Sequence, residues 1–422
     1  MLIASLIRKG AGSYFEHPDQ NMNAIALSKP ETISGSSIKH INAGEHLIDK
    51  FVGLQNGPTV IVVGGVHGNE PAGVMAARNV ASALRSQGVA LDGRVYFLAG
   101  NTRALAVGKR YIDTDLNRSW TGRRVADAES GDGAFYSEDL ELGELEQLID
   151  EILVTAEDEV YVIDLHSTSA AGMPFATVGD TLRNREFARA MPIAILLGIE
   201  EQLEGTMLEY LNNIGCITLG FEGGKHTSDH TVANHEAVIW HALVGANIVK
   251  QEQVPNFTKH HLQLEKASGG TKFFEVRYRH AITPEDDFEM DTGFYNFDHV
   301  RKGESVAIDR NGPIKVKEDG LMLMPLYQKL GDDGFFVGRR VATFWLFLSA
   351  VLRTLRIPQI VHWLPGVRRD ELHNETLIVD TTVAKLMPLQ VFHLLGFRKL
   401  RWTDNELVVT RRRHDTTSPF VK

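Results

Sequence analysis

Short apolar runs alternate with longer, helically spaced stretches through the first 250 residues of the chain. Residues 58–63, 94–99, 159–165 and 214–221 are rich in Val, Ile, Leu and Phe, which predicts strands buried on both faces. Residues 72–85 form an Ala-rich helical pattern and 138–153 an amphipathic one, while 183–197 and 228–249 also read as helices. This rhythm predicts an α/β fold, a mostly parallel sheet flanked by helices. From about residue 257 the texture changes to short β-rich runs such as 271–278 and 305–309, punctuated by Gly293, Gly303, Gly312 and Gly320, which predicts an all-β domain. The last segment combines an apolar run at 341–352, strand-like 376–380, an apolar 389–395 and a hairpin-like 400–410, predicting a small C-terminal α+β extension. Four parts follow: an N-terminal arm of strands over 1–44, the α/β domain over 45–254, the all-β domain over 255–338, and the extension over 339–422.

Composition narrows the class. The chain has 422 residues, 43% of them hydrophobic and 23% charged, as expected for a soluble globular protein of two or three domains. Met1 to Lys9 place their charge after a short apolar run, the reverse of a secretory signal, and the single Cys216 excludes an internal disulfide, so the cytoplasm is the expected compartment. The run at 341–352, flanked by Arg339, Arg340, Arg353 and Arg356, is too short for a transmembrane span. A core or oligomer contact is the first reading and a membrane-surface anchor the second. Fourteen Lys and Arg against seven Asp and Glu give the extension about +7, leaving about −17 on the body of a chain whose total is −10. Opposite signs predict that the extension docks on the body or on a second copy in a homo-oligomer. Without aromatics interleaved on a basic stripe, it predicts no nucleic-acid partner.

Candidate chemistry sits where the apolar runs end. Gly64-Gly-Val-His67-Gly-Asn-Glu70-Pro follows the first strand and presents a His and a Glu three apart, either as two metal ligands or as polar residues of a strand-to-helix turn. Asp164-Leu-His166-Ser ends another strand. Strand-end residues from distant segments converge in open α/β sheets, and His67, Glu70 and His166 make up the three protein ligands that catalytic zinc needs beside an open position. Asp164 would then orient a ligand from behind. Arg110-Tyr-Ile-Asp-Thr-Asp115-Leu-Asn117-Arg118 is dense in forked donors, suited to an anionic substrate and a developing oxyanion, although each residue alone reads as a solvated loop. Glu222, in Leu219-Gly-Phe-Glu222-Gly-Gly, is either a general base or a structural strand-end acid. His226 and His230 have i, i+4 spacing, yet lack a third ligand and read as solvated or capping residues.

Taken in order, these motifs resemble the aspartoacylase and succinylglutamate desuccinylase family of zinc carboxypeptidase-like hydrolases, over roughly residues 45 to 338. The resemblance implies one zinc ion per chain on His67, Glu70 and His166, with Asp115 buttressing His67 and Glu222 as the base. It implies that Arg110 polarises the scissile carbonyl, that Asn117 and Arg118 hold a substrate carboxylate, and that the β domain walls the active-site mouth. Two departures stand out: Asn212 where aspartoacylases have an Arg, and Phe335-Phe336 where they have a substrate-contacting Tyr, which argues against acetyl-aspartate as substrate. The expected activity is hydrolysis of the amide bond of an N-acylated amino acid or similar small carboxylate. A zinc carboxypeptidase on short peptides is the second reading. A catalytically idle scaffold or regulator using the basic extension is the reading of another class.

Overall fold

The computed structural model describes residues 42–121, 136–328, 330–384, 389–403 and 405–421. The expected N-terminal arm lies outside them except for 42–44. In chain order the first strands are β1 (Leu47–Val52), β2 (Gln55–Gly64), β3 (Asp92–Ala99), β4 (Val160–Thr168), β5 (Phe175–Val178), β6 (Ala194–Leu197) and β7 (Ile217–Lys225). The helices among them are α1 (Ala72–Gln87), α2 (Thr102–Val107), α3 (Ser137–Val154), α4 (Leu182–Arg189), α5 (Met207–Asn213) and α6 (Asp229–Gly245).

Side-chain alternation explains why the strands are apolar throughout. In β2, Val60 and Val62 join one buried cluster, with Ala76, Ala77 and Val80 of α1 and Ala237 and Val238 of α6. Ile61 and Val63 point the other way, to Leu142 and Leu145 of α3 and Met207 and Leu211 of α5. Strand β4 obeys the same parity: Ile163 and Leu165 face the α1/α6 side, Val160 and Val162 the α3/α5 side. Asp164 and His166 therefore continue the α3/α5 face, and the polar site opens there.

Region 255–338 adds α7 (Phe257–Ser268), β8 (Lys272–Ala281), β9 (Glu289–Met290), β10 (His299–Val300), β11 (Ser305–Asp309), β12 (Gly312–Lys315), β13 (Gly320–Leu323) and β14 (Asp333–Arg340). The main sheet has eleven strands in the order β1-β3-β2-β4-β7-β5-β6-β8-β14-β13-β10. Strands β3, β2, β4 and β7 run parallel, as do β5, β6 and β8. The pairs β1/β3, β5/β7, β8/β14, β14/β13 and β13/β10 are antiparallel. Within 45–254 most strand pairs are parallel, but the sheet as a whole is mixed, because β8, β14, β13 and β10 extend it beyond residue 255. Strands β9, β11 and β12 form a small second sheet.

Two local expectations also change. The helix expected over 183–197 stops at Arg189, because Pro192 cannot continue it, and the fully apolar Ala194–Leu197 instead becomes the buried strand β6. The region expected to be all-β contains α7, whose fully buried face is only Leu264 and Ser268, too thin a stripe to show as helical periodicity.

The extension comprises α8 (Thr343–Thr354), β15 (Val367–Arg369), β16 (Thr376–Asp380), α9 (Leu389–Leu394), β17 (Phe397–Trp402) and β18 (Glu406–Arg411), with an antiparallel sheet in the order β15-β16-β18-β17. The run at 341–352 is largely the amphipathic α8, which buries Leu346, Ser349 and Arg353 and exposes Phe344 and Phe347. Among the described residues no helix is long and apolar enough to cross a membrane. The charge asymmetry has a physical counterpart. Arg353 of the extension, its side chain 1% exposed, donates to Asp180 of the body at 2.9 Å, and Arg412 reaches Glu200 at 2.9 Å and Glu201 at 2.7 Å. Leu182 N returns a hydrogen bond to Asp415 at 2.9 Å.

Burial works to raise the Asp180 carboxyl, but Arg185, Arg353 and Arg412 around it hold it well below the usual carboxylate range. Its contribution to stability is therefore complete above about pH 4 and lost as pH falls. Asp180→Ala leaves buried arginines without their carboxylate, so a loss of about 3–5 kcal/mol is expected in urea unfolding at pH 7. A loss within experimental error would show that the extension is held by other contacts.

Candidate metal centre and active site

Three neighbouring parallel strands deliver the site. Strand β2 ends at Gly64, and the following turn requires glycine at Gly65, where φ is +75°, and at Gly68, where a Cβ would lie 2.2 Å from the Ala104 carbonyl carbon. This turn carries His67 and Glu70 to the end of β4, where His166 lies directly beside Glu222 of β7 in the strand register.

Both imidazoles turn Nδ1 towards one carboxylate: His67 Nδ1 lies 2.9 Å from Glu70 Oε1 and His166 Nδ1 lies 3.2 Å from Glu70 Oε2. Each Nε2 faces an aspartate, Asp115 at 3.1 Å for His67 and Asp164 at 2.7 Å for His166. One donor atom each from His67, Glu70 and His166 lies within 4.8 Å of the others, close enough to share a cation. Burial works to raise Glu70, but His67 and His166 hold it well below the usual carboxylate range. For His166 burial works downward and is outweighed by Asp164 and Glu70, which raise the imidazole well above its usual range. A second cluster, His46 with Glu141 and Glu144, has comparable spacing, but Arg103 lies 2.7 Å from each acid and already neutralises it.

A cavity of about 200 Å³ opens over this cluster. Four buried polar atoms of the residues lining it have no hydrogen-bond partner among the described residues, Glu222 Oε2, Arg110 Nε, Asp164 Oδ1 and Glu200 Oε2. Burial pushes Glu222 up to about 7, with His166 opposing and Glu70 adding to the rise. Burial works against the Arg110 cation, but Asp115, 3.0 Å from Nη2, and Glu70 raise it, so the guanidinium stays charged.

Asn117 and Arg118, at the end of the 110–118 loop, also line the cavity. Asn117 Oδ1 accepts from Met207 N at 3.1 Å, at the start of α5, and Arg118 Nη2 donates to Asp333 of β14 at 3.1 Å. Arg279 also donates to Asp333. Asn212 lines the cavity but spends its amide on the Cys216 carbonyl at 2.9 Å. Phe336 lines the cavity, whereas Phe335 packs into the core of the β region. His226 turns to the Ser167 hydroxyl at 2.7 Å, and His230 is exposed on α6.

Sequence reasoning missed Glu138, in the first turn of α3. Its buried carboxylate accepts from the backbone N–H of Ile112 (2.7 Å), Asp113 (3.0 Å) and Thr114 (3.1 Å), and from Asn101 Nδ2 (3.0 Å), so it holds the loop that carries Arg110 and Asp115. In sequence it is only one acid of an acidic helix start. Also missed were Arg398, Arg412 and Arg413 of the extension, which line the same cavity; the only signal was the charge of that segment.

Residues 56–243 match the family described as "Succinylglutamate desuccinylase/Aspartoacylase catalytic domain". A succinylglutamate desuccinylase of Pseudomonas paraeruginosa is 29% identical over 136 residues, which cover 32% of this chain and 39% of that one. One from Shewanella sp. strain W3-18-1 is 29% identical over 159 residues, 35% and 44% of the two chains. The chain thus spans about two-fifths of the length of these curated relatives. Among solved structures, a succinylglutamate desuccinylase/aspartoacylase from Rhodobacter sphaeroides superposes with a TM-score of 0.51 at 20% identity, covering 68% of this chain and 87% of that one. The product-bound ectoine utilization protein EutE from Ruegeria pomeroyi gives 0.50 at 21% identity, covering 68% and 86%. These two share the fold. Through residues 56–243, the protein is thus similar to the catalytic domain of the succinylglutamate desuccinylase/aspartoacylase family.

Glu138→Ala removes four hydrogen bonds to one buried carboxylate, and a destabilisation of about 3 kcal/mol is expected by chemical denaturation. The amides of Ile112, Asp113 and Thr114 should exchange with solvent faster in the variant. Unchanged exchange there would refute the anchoring role.

Proposed function

We propose that the chain is a zinc-dependent amidohydrolase acting on the amide bond of an N-acylated amino acid or similar small carboxylate, a linear amide other than a peptide bond. The observation that carries this reading is a pair of buried atoms without hydrogen-bond partners, the carboxylate oxygen Glu222 Oε2 and the guanidinium nitrogen Arg110 Nε, along the cavity that holds the His67, Glu70 and His166 cluster. Two imidazoles and one carboxylate are the chemistry of a catalytic zinc site, and these three residues would hold one ion per chain. When bound, zinc supplies Lewis acidity to the amide carbonyl and acidifies the attacking water.

The chain's own residues would do the rest. Asp115 and Asp164 accept the Nε2–H of their histidines and so fix the tautomer that leaves each Nδ1 with a free lone pair for the ion. Glu222 takes the proton of the attacking water and passes it to the departing nitrogen, a transfer for which an acid poised near neutrality is suited. Arg110 Nε donates to the carbonyl oxygen as negative charge develops on it. Asn117 and Arg118 remain the candidates for a substrate carboxylate, with Arg118 sharing its fork with Asp333. In the same reading residues 45–254 form the catalytic domain and 255–338 the wall that selects the substrate. The relatives' names make succinylated and other acylated amino acids the first compounds to test. A cytoplasmic setting and assembly through the extension complete the proposal: Cys216 is buried with its thiol pushed up to about 12 by that burial, and Phe344 and Phe347 stand exposed on α8.

A screen of N-acetyl, N-succinyl and N-formyl amino acids and dipeptides, with free-amine detection, should find turnover among the acylated amino acids. Glu222→Gln is expected to lower kcat by roughly 10²- to 10⁴-fold with zinc content unchanged; unchanged turnover would remove Glu222 as the base. The base works unprotonated, so kcat/KM of the wild type should fall as pH drops below about 7, and the remaining activity of Glu222→Gln should lose that limb. Metal analysis of His67→Ala and His166→Ala should find less than stoichiometric zinc in both.

A further inference from the structure

Five arginines line the cavity over the metal cluster, and four of them are matched by carboxylates. Arg110 is paired with Asp115 at 3.0 Å, Arg118 with Asp333 at 3.1 Å, Arg398 with Glu209 at 2.5 Å, and Arg412 with Glu200 and Glu201. The fifth, Arg413, is exposed and makes no hydrogen bond or ion pair among the described residues. A guanidinium already forked onto a carboxylate must give up that partner to bind another, whereas an unpaired one presents its planar fork at no such cost.

The backbone that carries Arg413 is fixed from both sides. On one side Arg412 is buried, donating to Glu200, Glu201 and the Phe397 carbonyl; on the other Asp415 is buried, accepting from Leu182 N and Arg353. A cation held on an anchored segment loses little freedom when it binds.

Resting on the deacylase reading, we propose that Arg413 binds the carboxylate of the amino-acid half of the substrate, so that the C-terminal extension is part of the active site. The substrate class this selects is an N-acyl amino acid with a free carboxylate, held between the metal cluster and the extension. Carboxamide or ester derivatives of the same compounds would lose this contact.

The test compares wild type, Arg413→Ala and Arg411→Ala on N-acetyl and N-succinyl amino acids and their carboxamides. Arg411→Ala removes the same charge two residues away, beside Glu375, and serves as the control. Arg413→Ala is expected to raise KM for the carboxylates about tenfold or more with kcat within about twofold, and to abolish the preference for carboxylate over carboxamide. Survival of that preference in Arg413→Ala, or an equal loss in Arg411→Ala, would overturn the proposal while leaving the deacylase reading standing. Absence of turnover on every compound would count against the deacylase reading instead. In that case thermal unfolding of chelator-treated protein with N-acetylglutamate decides about Arg413. Stabilisation of wild type and Arg411→Ala but not Arg413→Ala supports the site; stabilisation of all three, or of none, refutes it.

Discussion

A carboxylate taken out of water must be paired several times over, and the site depends on how Glu70 meets that demand. At 3% exposure it accepts a backbone hydrogen bond from Ser167 N at 2.8 Å and faces an imidazole nitrogen with each oxygen. One acid thereby ties the turn after β2 to the end of β4 and aims both Nδ1 atoms at a common point. With those nitrogens committed, the opposite ones are left for Asp115 and Asp164, so the two aspartates and the Arg110 loop follow from the same constraint. The effect extends to Glu222. Its neighbour on β4 is His166, and the Glu70 charge nearby adds to the burial that lifts its carboxyl. Two acids in one pocket are driven apart, one held low between two imidazoles and one raised towards neutrality, a separation that suits them to different chemical work.

The parts of this arrangement legible in sequence are those that a strand writes locally. Period-two burial on both faces makes β2, β4 and β7 apolar, and the first polar residues after such runs must lie at the strand ends, which is why His67, His166 and Glu222 could be singled out. Asp164 followed for the same reason, being two residues from His166 on one face. Partners set by tertiary docking were not legible. Glu138 reaches the loop from a different helix, and Asp333 takes up Arg118 from more than two hundred residues away. The extent of the sheet was also not legible at identifiable places: β5 and β6 have four residues each, too few for periodicity, and β8, β14, β13 and β10 continue a sheet whose edge was not visible from composition.

The extension raises the question of why a docking face should be built from buried charges when apolar packing would stabilise more cheaply. The lining of the cavity supplies a reason. Seven acidic side chains line it, namely Glu70, Asp164, Glu200, Glu209, Glu222, Asp332 and Asp333, against only Arg110 and Arg118 from the body. With that balance the cavity would repel an anionic substrate, whatever its shape. Arg398 offsets Glu209 and Arg412 is shared by Glu200 and Glu201 at the junction, and Arg413 adds a positive charge left unmatched. An apolar docking face would leave those glutamates without partners and the cavity negative. The charge asymmetry between body and extension is thus spent at the pocket wall, where it both positions the extension and offsets most of the local negative charge.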